Sequence, residues 1–396
     1  MTDLSRRDAL IFAMATATSG LLPASALADA GTVPDSLNAL AAVKGMRFGS
    51  CLGTGPSGAP HPSSWDGTRA NSYDDPKVRE IFVRECGILV PENELKWYTL
   101  RPSAATFDFK RADKLIAFAD ANKLLVRGHT LLWHNMQWFP AWVANYDFGA
   151  RPATEAERLL REHITTVCKR YGERIFAWDV VNETIDADTG LMRETVFTKY
   201  LGDKVIDIAF QAAREALPHC QLVYNDYMSW GPGNAKHRDG VVTLLARLKK
   251  NGVPVDALGV QAHIGPGASA STPTLGPDDE VQWRAFLDSV TGLGLDLVIT
   301  EFDEGDQELP ADIAVRDRAV ADLARRYFDV MLSYKQLRYV MAWGLVDKYS
   351  WLRDRRPRTD GLPKRPSLYD DKYAPKPVRD AIADAFRAAP ARSWLD

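Results

Sequence analysis

The chain has 396 residues, of which 46% are apolar and 26% are charged, and 49 Lys and Arg against 52 Asp and Glu leave a formal charge of -3. This is the composition of an ordinary soluble globular protein, and the nearly balanced charge argues against nucleic acid or an anionic membrane as a partner. Eleven Trp, thirteen Tyr and fifteen Phe are enough for a stacking surface as well as a core.

The first thirty residues have the pattern of an export signal. Arg6 and Arg7 precede an apolar run over residues 9–22, which is shorter than the ~20 residues needed to span a bilayer. The run leads to the small-x-small sequence Ala26-Leu27-Ala28, a cleavage pattern. We therefore predict a twin-arginine-type signal peptide over residues 1–28 and a mature protein that is periplasmic or extracellular. The alternative is an uncleaved anchor or amphipathic helix.

Four cysteines would enter an oxidising compartment after export, where disulfides can form. Cys51, Cys86 and Cys220 lie in or beside apolar strand-like runs, and Cys168 lies in an amphipathic helical pattern. None belongs to a CxxC or metal-binding spacing. We expect buried free thiols.

Short apolar runs alternate with longer helical patterns from Met46 onward, which predicts repeated βα units. Eight runs read as strands, and eight strands close a (β/α)8 TIM barrel. They are Met46–Leu52, Ile88–Val90, Leu124–Thr130, Ala177–Asn182, Gln221–Asn225, Ala257–Gln261, Asp296–Glu301 and Val340–Gly344.

The helical patterns place apolar residues three and four positions apart. They cover Asp75–Cys86, Arg111–Asn122, Thr154–Tyr171, Val205–Leu217, Val241–Asn251, Ile313–Tyr334 and Pro377–Ala388. Thr154 and Glu157 have the spacing of a capping box. Because no linker-like segment divides this region, residues 29–396 are predicted to form one α/β domain, a single barrel with elaborated βα loops.

Polar residues follow seven of the eight predicted strands. One charged residue after a strand is commonly a helix cap or a solvated loop, but seven such ends are harder to explain in that way. The carboxyl ends of barrel strands surround one mouth. Carboxylates, amides, Lys, His and Trp together, without a phosphate-binding glycine loop or an HExxH motif, are typical of a sugar-binding cleft.

Two carboxylates stand out because each ends an apolar strand. Hydrolysis of a glycosidic bond needs an acid for the leaving oxygen and a second carboxylate at the anomeric carbon, about 5–5.5 Å away when configuration is retained. We assign Glu183, after the fourth strand, as the general acid/base and Glu301, on the seventh, as the nucleophile. Burial or a nearby charge should raise the pKa of Glu183. His263 is expected to hydrogen-bond Glu301, and Asp303 to orient that imidazole.

These motifs resemble those of glycoside hydrolase family 10 endo-β-1,4-xylanases over about residues 39–388. The resemblance rests on Trp-Asp-Val-Val-Asn-Glu around Glu183, on Ile-Thr-Glu-Phe-Asp around Glu301, and on the Trp-Gly-x-x-Asp-x-x-Ser-Trp pattern that begins at Trp343. It implies retention through a covalent glycosyl-enzyme, with xylan or xylo-oligosaccharides as the substrate. It also implies sugar contacts by a larger set: Glu92, Asn93, Lys96, His129, Trp133, Asn182, Asn225, Tyr227, Gln261, Trp343 and Trp351.

Within that set the resemblance gives each residue a place along the cleft. Glu92, Asn93 and Lys96 would bind the glycone sugars, and Asn225 and Tyr227 would lie toward the aglycone. The subsite of the cleaved bond would be lined by His129, Trp133 and Asn182, with Asn182 on the 2-hydroxyl. Gln261 and His263 would lie beside the nucleophile, and Trp343 and Trp351 would form an aromatic wall.

Two departures from the family pattern are informative. The stretch from Asn135 to Phe139 is two residues longer than usual, so Gln137 is not equated with the family glutamine, and Trp138 is a candidate for an added glycone stacking surface. The segment Arg353–Arg358 is unusually basic. Its simplest interpretation is a solvated loop; the sharper hypothesis is that Arg355 and Arg356 contact glucuronic acid branches on xylan.

Three other functions fit parts of this pattern. A retaining β-1,4-glucanase on the same fold would have to accommodate an added hydroxymethyl group at C5 in its glycone subsites, which depends on the width of the cleft. An inactive polysaccharide-binding barrel is disfavoured because both carboxylates are present. A metal hydrolase would need ligand spacing that His129, His134 and His263 do not show. We expect a monomer that uses no metal or other cofactor, and no nucleic acid or membrane as a partner after signal cleavage.

Overall fold

The computed structural model describes residues 35–55, 71–265, 277–353, 355 and 357–394. The predicted signal peptide, residues 1–28, lies outside them. Within these ranges, none of the helices combines the length and the apolar character needed to cross a membrane.

The described chain forms one parallel sheet of nine strands. The strands are β1 (Arg47–Leu52), β2 (Ile88–Pro91), β3 (Leu125–Trp133), β4 (Ala177–Asn182), β5 (Gln221–Asp226), β6 (Ala257–Val260), β7 (His263–Ile264), β8 (Asp296–Glu304) and β9 (Leu337–Ala342). Consecutive strands from β1 to β6 pair with each other, β9 pairs with both β1 and β8, and β6 pairs with β8, which closes the circle. The prediction of an eight-stranded barrel is confirmed.

The ninth strand, β7, is a two-residue extension at the barrel mouth. It pairs with the end of β8, where His263 lies opposite Asp303. The seventh strand of the closed barrel is therefore β8. Because of this pairing, β8 continues three residues beyond the predicted end at Glu301.

Helices lie between the strands. They are α1 (Leu37–Val43), α2 (Pro76–Glu85), α3 (Trp97–Leu100), α4 (Lys110–Ala121), α5 (Ala141–Ala144), α6 (Pro152–Tyr171), α7 (Val196–Leu201), α8 (Lys204–Ala216), α9 (Ala235–Lys250), α10 (Pro277–Gly292), α11 (Ile313–Leu332) and α12 (Pro377–Ala388).

Two apolar layers support the barrel. Inward-facing residues of the strands, among them Val90, Val223 and Val298, fill its interior. A larger core lies between the strands and the helices and includes Trp178 and Trp283. At the end of the barrel where the strands begin, Trp394 contacts Phe176 and Tyr339. The interior is thus packed rather than hollow, as this architecture requires.

The structure corrects two local predictions. Helix α6 begins at Pro152, after Arg151, so Thr154 and Glu157 lie inside the first turns and form no capping box. Proline fits the first helical position because its fixed φ is already helical and its missing N–H is not needed there. Helix α10 was not predicted, although Trp283, Phe286 and Val290 repeat at helical spacing on its buried side.

The prediction of buried free thiols is confirmed. All four cysteines are buried and none forms a disulfide. Burial raises the pKa of the Cys168 thiol and of the Cys86 thiol, which keeps both in the unreactive protonated form.

Candidate active site

The carboxyl ends of the barrel strands bring the two assigned glutamates to one mouth. Glu183 directly follows β4, and Glu301 lies in β8. Strands β5 and β6 lie between β4 and β8, and the side chain of Asn225, in β5, reaches Glu301. Residues distant in sequence thus form one polar surface.

Glu301 is buried and surrounded by nitrogen atoms. Asn225 Nδ2 donates to Oε1 over 2.7 Å, His129 Nδ1 lies 3.9 Å from the same oxygen, and His263 Nε2 lies 3.3 Å from Oε2. Burial by itself would raise the pKa of Glu301, but His129, His263 and the charge of Lys96 outweigh it and lower the pKa to about 2. The carboxylate is therefore ionised at neutral pH, as a nucleophile must be.

His263 is held by a second carboxylate. Its Nδ1 lies 2.7 Å from Asp303 Oδ1, and Trp351 Nε1 donates to Asp303 Oδ2 over 2.7 Å. Burial opposes protonation of His263, but Asp303 and Glu301 together raise its pKa to about 10. The structure thus places an imidazolium between Asp303 and Glu301, the arrangement that the sequence suggested.

Glu183 has the opposite electrostatic character. Its Oε1 accepts from Gln261 Nε2 and its Oε2 from Trp133 Nε1, each over 2.9 Å. Burial is the largest influence and raises the pKa of Glu183, with further contributions from the charges of Asp226 and Glu301. A carboxyl with a raised pKa retains its proton for transfer to a leaving group.

Three amides connect the two glutamates. Asn182 Oδ1 accepts from Asn225 Nδ2 over 2.8 Å and from Gln261 Nε2 over 3.3 Å. Asn182 Nδ2 is buried and has no hydrogen-bond partner among the described residues. An orphaned buried donor is costly, so this nitrogen is suited to donate to a bound hydroxyl, consistent with the role that the resemblance gives to Asn182.

The structure corrects the expected position of the Gln261 side chain and adds contacts to what was expected of Asn225. Asn225 is fully buried; besides its amide bonds to Asn182 and Glu301, its Oδ1 accepts from Thr300 Oγ1 over 2.6 Å. It therefore orients Asn182 and Glu301, and its expected place toward the aglycone stays a prediction. The side chain of Gln261 contacts the acid/base Glu183, whereas only its backbone oxygen lies beside the nucleophile, accepting from Glu301 N over 3.0 Å.

Glu92, Asn93 and Lys96 follow β2 and are buried at the mouth. Lys96 Nζ donates to Asn93 Oδ1 over 3.1 Å and lies 4.7 Å from the ring centre of Trp133. Burial and the charge of Glu94 raise the pKa of Glu92 to about 8 against the opposing effect of Lys96. This end of the mouth is therefore rich in hydrogen-bonding groups that can address sugar hydroxyls.

Two half-buried tryptophans, Trp133 and Trp138, form a stacked pair at the mouth. Trp133 and Trp138 are stacked with ring centres 4.3 Å apart and planes 16° apart, and both are half-buried. The longer stretch after His134 forms a single 3-10 turn, Met136–Trp138, which places Trp138 on Trp133. Gln137 in this turn is exposed. Trp138 thus covers one face of Trp133, and its role as an added glycone stacking surface stays a prediction.

Trp343 and Trp351 both reach the histidines of the site. The ring of Trp343 meets that of His129 edge to face, with centres 5.2 Å apart. Trp351 meets His263 in the same way at 5.1 Å. Trp343 is buried and Trp351 is half-buried, so Trp351 presents more of its ring to a ligand. Tyr227, also half-buried, accepts a hydrogen bond at its hydroxyl from Arg193.

A buried ion pair beneath the site was not assigned a role from the sequence. Arg127 donates to both carboxylate oxygens of Asp179, and His129 Nδ1 lies 2.8 Å from Asp179 Oδ2. The ligand atoms of His129, Asp179 and Glu301 lie within 4.8 Å of one another, a spacing that could hold a metal ion. Arg127 already donates to both oxygens of Asp179. We therefore interpret the Arg127–Asp179 pair as a structural support that orients His129.

The basic segment after Trp351 is resolved into different roles. Arg353 pairs with Asp371 at 2.6 Å, and buried Arg358 donates to the backbone oxygen of Leu309 over 2.8 Å and pairs with Asp360. Arg355 is exposed, and its guanidinium lies 4.9 Å from the ring centre of Trp351. Arg356, the other residue of the hypothesis, lies outside the described residues.

Comparisons with known proteins agree on one family. The sequence profile described as Glycosyl hydrolase family 10 matches residues 37–385. Endo-1,4-beta-xylanase B of Thermotoga neapolitana is 32% identical over 317 residues, which cover 78% of this chain and 84% of that protein. The crystal structure of xylanase 10B from Thermotoga petrophila RKU-1 in complex with xylobiose superposes with a TM-score of 0.74 at 32% identity, covering 89% of this chain and 97% of that one.

A relative with a different name also matches. Exoglucanase XynX of Acetivibrio thermocellus is 32% identical over 340 residues, which cover 82% of this chain and 28% of that protein. Because relatives named as a xylanase and as an exoglucanase are equally similar to this chain, the names of relatives alone do not tell which polysaccharide it cleaves.

Proposed function

The chain belongs to glycosyl hydrolase family 10, and we propose that it is an endo-1,4-β-xylanase that cleaves internal xylosidic bonds with retention of anomeric configuration. The observation that carries the proposal is that the pKa values of the two glutamates are shifted in opposite directions. The pKa of Glu183 is raised and that of Glu301 is lowered to about 2, so that one keeps its proton while the other is ionised. Hydrolysis of a glycosidic bond requires this division of roles, and retention by double displacement is what the membership of family 10 implies.

In the first step, a Glu301 oxygen attacks the anomeric carbon and forms a glycosyl ester. The bond from that carbon to the glycosidic oxygen breaks, and the Glu183 proton passes to the departing oxygen. In the second step, ionised Glu183 takes a proton from water, whose oxygen displaces Glu301 from the anomeric carbon. Glu183 regains its proton, Glu301 regains its charge, and two inversions give net retention.

The surrounding groups support these steps. His263 and Asn225 hold the two oxygens of Glu301 in fixed directions, which keeps the attacking atom aligned. Trp133 and Gln261 do the same for the two oxygens of Glu183. The unpartnered Asn182 Nδ2 offers a donor that a sugar hydroxyl can satisfy as the ring distorts.

Product analysis tests the proposed activity. Xylan oligomers labelled at the reducing end should give internal cleavage products, and proton NMR of fresh products should show the β-anomer first. An initial α-anomer would contradict retention, and release of one short product from a chain end would contradict endo action. Parallel assays on xylan and carboxymethyl cellulose separate a xylanase from a β-1,4-glucanase; faster cleavage of the cellulose derivative would favour the glucanase.

We propose also that the protein is exported by the twin-arginine route. The support is the paired arginines, the short apolar run and the small-x-small pattern of residues 1–28. N-terminal sequencing of protein from the periplasm or medium should begin near residue 29, and an intact Met1 on exported material would contradict cleavage.

The substrate of this site extends, in our proposal, to xylan that carries glucuronic acid branches. Arg355 lies over Trp351 at the rim, is exposed, and forms no ion pair with the described residues, whereas Arg353 is paired. An unpaired guanidinium can bind a carboxylate through two parallel hydrogen bonds.

Activity on decorated and undecorated xylan tests the role of Arg355. Arg355→Ala should lower kcat/KM several-fold on glucuronoxylan and leave kcat/KM on linear xylan unchanged. Arg353→Ala is the control, because it removes a nearby cation that is already paired with Asp371. Equal effects of Arg355→Ala on both substrates would contradict uronate binding.

A further inference from the structure

The backbone at the acid/base Glu183 has a conformation that is unusual for this residue type. Its φ is +54°, in the left-handed region that favours glycine. For other residues this conformation costs about 1–3 kcal/mol, and it persists only where neighbouring contacts hold it. The question is which contacts hold Glu183 in place.

One arginine in the loop after β4 makes several of these contacts. Arg193 Nε donates to the backbone oxygen of Glu183 over 3.1 Å, and Arg193 N donates to the backbone oxygen of Thr184 over 2.8 Å. Its two terminal nitrogens donate to Asp186 Oδ2 over 2.9 Å and to the Tyr227 hydroxyl over 2.7 Å. The side chain is 20% exposed, so these contacts are largely shielded from water.

These contacts join three parts of the mouth. The backbone of Glu183 belongs to the end of β4, Asp186 to the loop that follows, and Tyr227 to the segment after β5. A planar guanidinium with fixed donor directions can tie all three together, which a flexible ammonium cannot do equally well. Arg193 does not reach the carboxyl oxygens of Glu183, whose partners are Trp133 and Gln261.

We propose that Arg193 is a positioning residue for the acid/base. This inference rests on the proposed function, in which Glu183 protonates the departing sugar. Arg193 fixes the peptide that carries Glu183, and this sets where the carboxyl lies relative to the glycosidic oxygen. Proton transfer requires about 2.6–3.2 Å between the heavy atoms, so a small rotation of this peptide is enough to slow it.

A purely structural role of Arg193 makes a different prediction. If the arginine only stabilised the loop, its loss would lower all activities together. If it positions the acid, the loss should depend on how much the leaving group needs a proton. A dinitrophenolate departs without protonation, whereas a sugar alkoxide does not.

Leaving-group dependence therefore tests the proposal. Arg193→Gln should lower kcat/KM for xylotetraose about 10–100-fold, part of what general acid catalysis supplies, and change kcat/KM for dinitrophenyl β-xylobioside less than about 3-fold. Arg193→Lys should recover part of the xylotetraose activity. Equal losses on the two substrates, or no loss on either, would overturn the proposal. So would the same selective loss in Tyr227→Phe, because Tyr227 is expected to lie toward the aglycone sugars that only xylotetraose has.

Arg214 provides a matched control. It pairs with Asp256 and donates to the backbone oxygens of Pro218 and Cys220, each over 2.8 Å, near the start of β5 and away from the mouth. Arg214→Gln should leave both substrates unaffected. Any selective loss on xylotetraose in Arg214→Gln would remove the significance of the Arg193 result and so overturn the proposal.

Glu183→Ala separates failure of this inference from failure of the proposed function. Its kcat/KM for xylotetraose should fall far more strongly than that of Arg193→Gln, while its kcat/KM for dinitrophenyl β-xylobioside, which reports only formation of the glycosyl ester, should change little. If Glu183→Ala is selective and Arg193→Gln is not, only the positioning role is wrong. If Glu183→Ala lowers kcat/KM equally for both substrates, the acid/base assignment itself is wrong, and the role of Arg193 falls with it.

Discussion

Asn225 Nδ2 lies 2.7 Å from Glu301 Oε1, so the amide of one buried strand residue donates directly to the carboxylate of another. The same nitrogen also donates to Asn182 Oδ1 over 2.8 Å. A hydrogen bond donated to an ionised carboxylate favours its charged form. Asn225 therefore links the ionisation of Glu301 to the orientation of Asn182.

Replacement of Asn225 should affect both the rate and its pH dependence. Asn225→Ala removes the donor to Glu301, so the pKa of Glu301 rises and the acidic limb of the kcat/KM profile moves to higher pH. We expect kcat/KM at neutral pH to fall about 10–100-fold, because a charged hydrogen bond contributes about 1.5–3 kcal/mol. An unchanged acidic limb, measured on folded protein, would contradict this link.

Removal of the nucleophile distinguishes an enzyme from a binding barrel. Glu301→Ala should lower kcat by at least about 10⁴-fold, because covalent catalysis is lost, while affinity for xylohexaose stays within a few-fold. Turnover and calorimetric binding of the same preparation measure the two quantities. Unchanged turnover would refute the assignment of Glu301, and an equal loss of binding would point to misfolding rather than to lost chemistry.

Gln261 offers a test of how the acid/base is tuned. Its amide donates to Glu183 and lowers a pKa that burial raises. Gln261→Leu should therefore raise the pKa of Glu183 further. Because Glu183 must be protonated for the first step, the alkaline limb of kcat/KM on xylotetraose should move to higher pH. A shift to lower pH would show that the hydrogen bond acts chiefly on the protonated form.

Glu304 should limit stability at neutral pH. It is fully buried, neither of its carboxyl oxygens has a hydrogen-bond partner among the described residues, and burial raises its pKa well above the ordinary value. Below the pKa of the unfolded state, Glu304 is protonated in both states and its ionisation does not affect the free energy of unfolding. As the pH rises, the unfolded state loses its proton first, and the free energy of unfolding falls. Glu304→Gln should thus raise the free energy of unfolding at pH 7 by up to about 3 kcal/mol.

The control for Glu304→Gln is the same measurement at a lower pH. At pH 4 the carboxyl is largely protonated in both the folded and the unfolded state, so Glu304→Gln should change the free energy of unfolding little. Denaturant unfolding at pH 4 and pH 7 gives both values. A gain of equal size at the two pH values would mean that packing, not ionisation, is responsible.

The sequence determined the barrel and the identity of its polar strand ends. Parallel strands and amphipathic helices have periods that can be read along the chain, and in a closed barrel all strands end at one mouth. That is why Glu183, Glu301, His263 and Asp303 could be assigned together. The length of β7 explains why it was missed, because two residues are too few to show a period.

Only the tertiary structure decided how these side chains share their hydrogen bonds. Asn225 and Gln261 were placed by their strands, but a strand end does not reveal whether an amide faces a ligand or a neighbouring carboxylate. The same limit applies to Arg193, Arg355 and Arg358, whose charges are equal in the sequence. Folding makes Arg193 an anchor for the peptide of Glu183, leaves Arg355 exposed and buries Arg358 as a support, because burial and pairing arise only when the chain is folded.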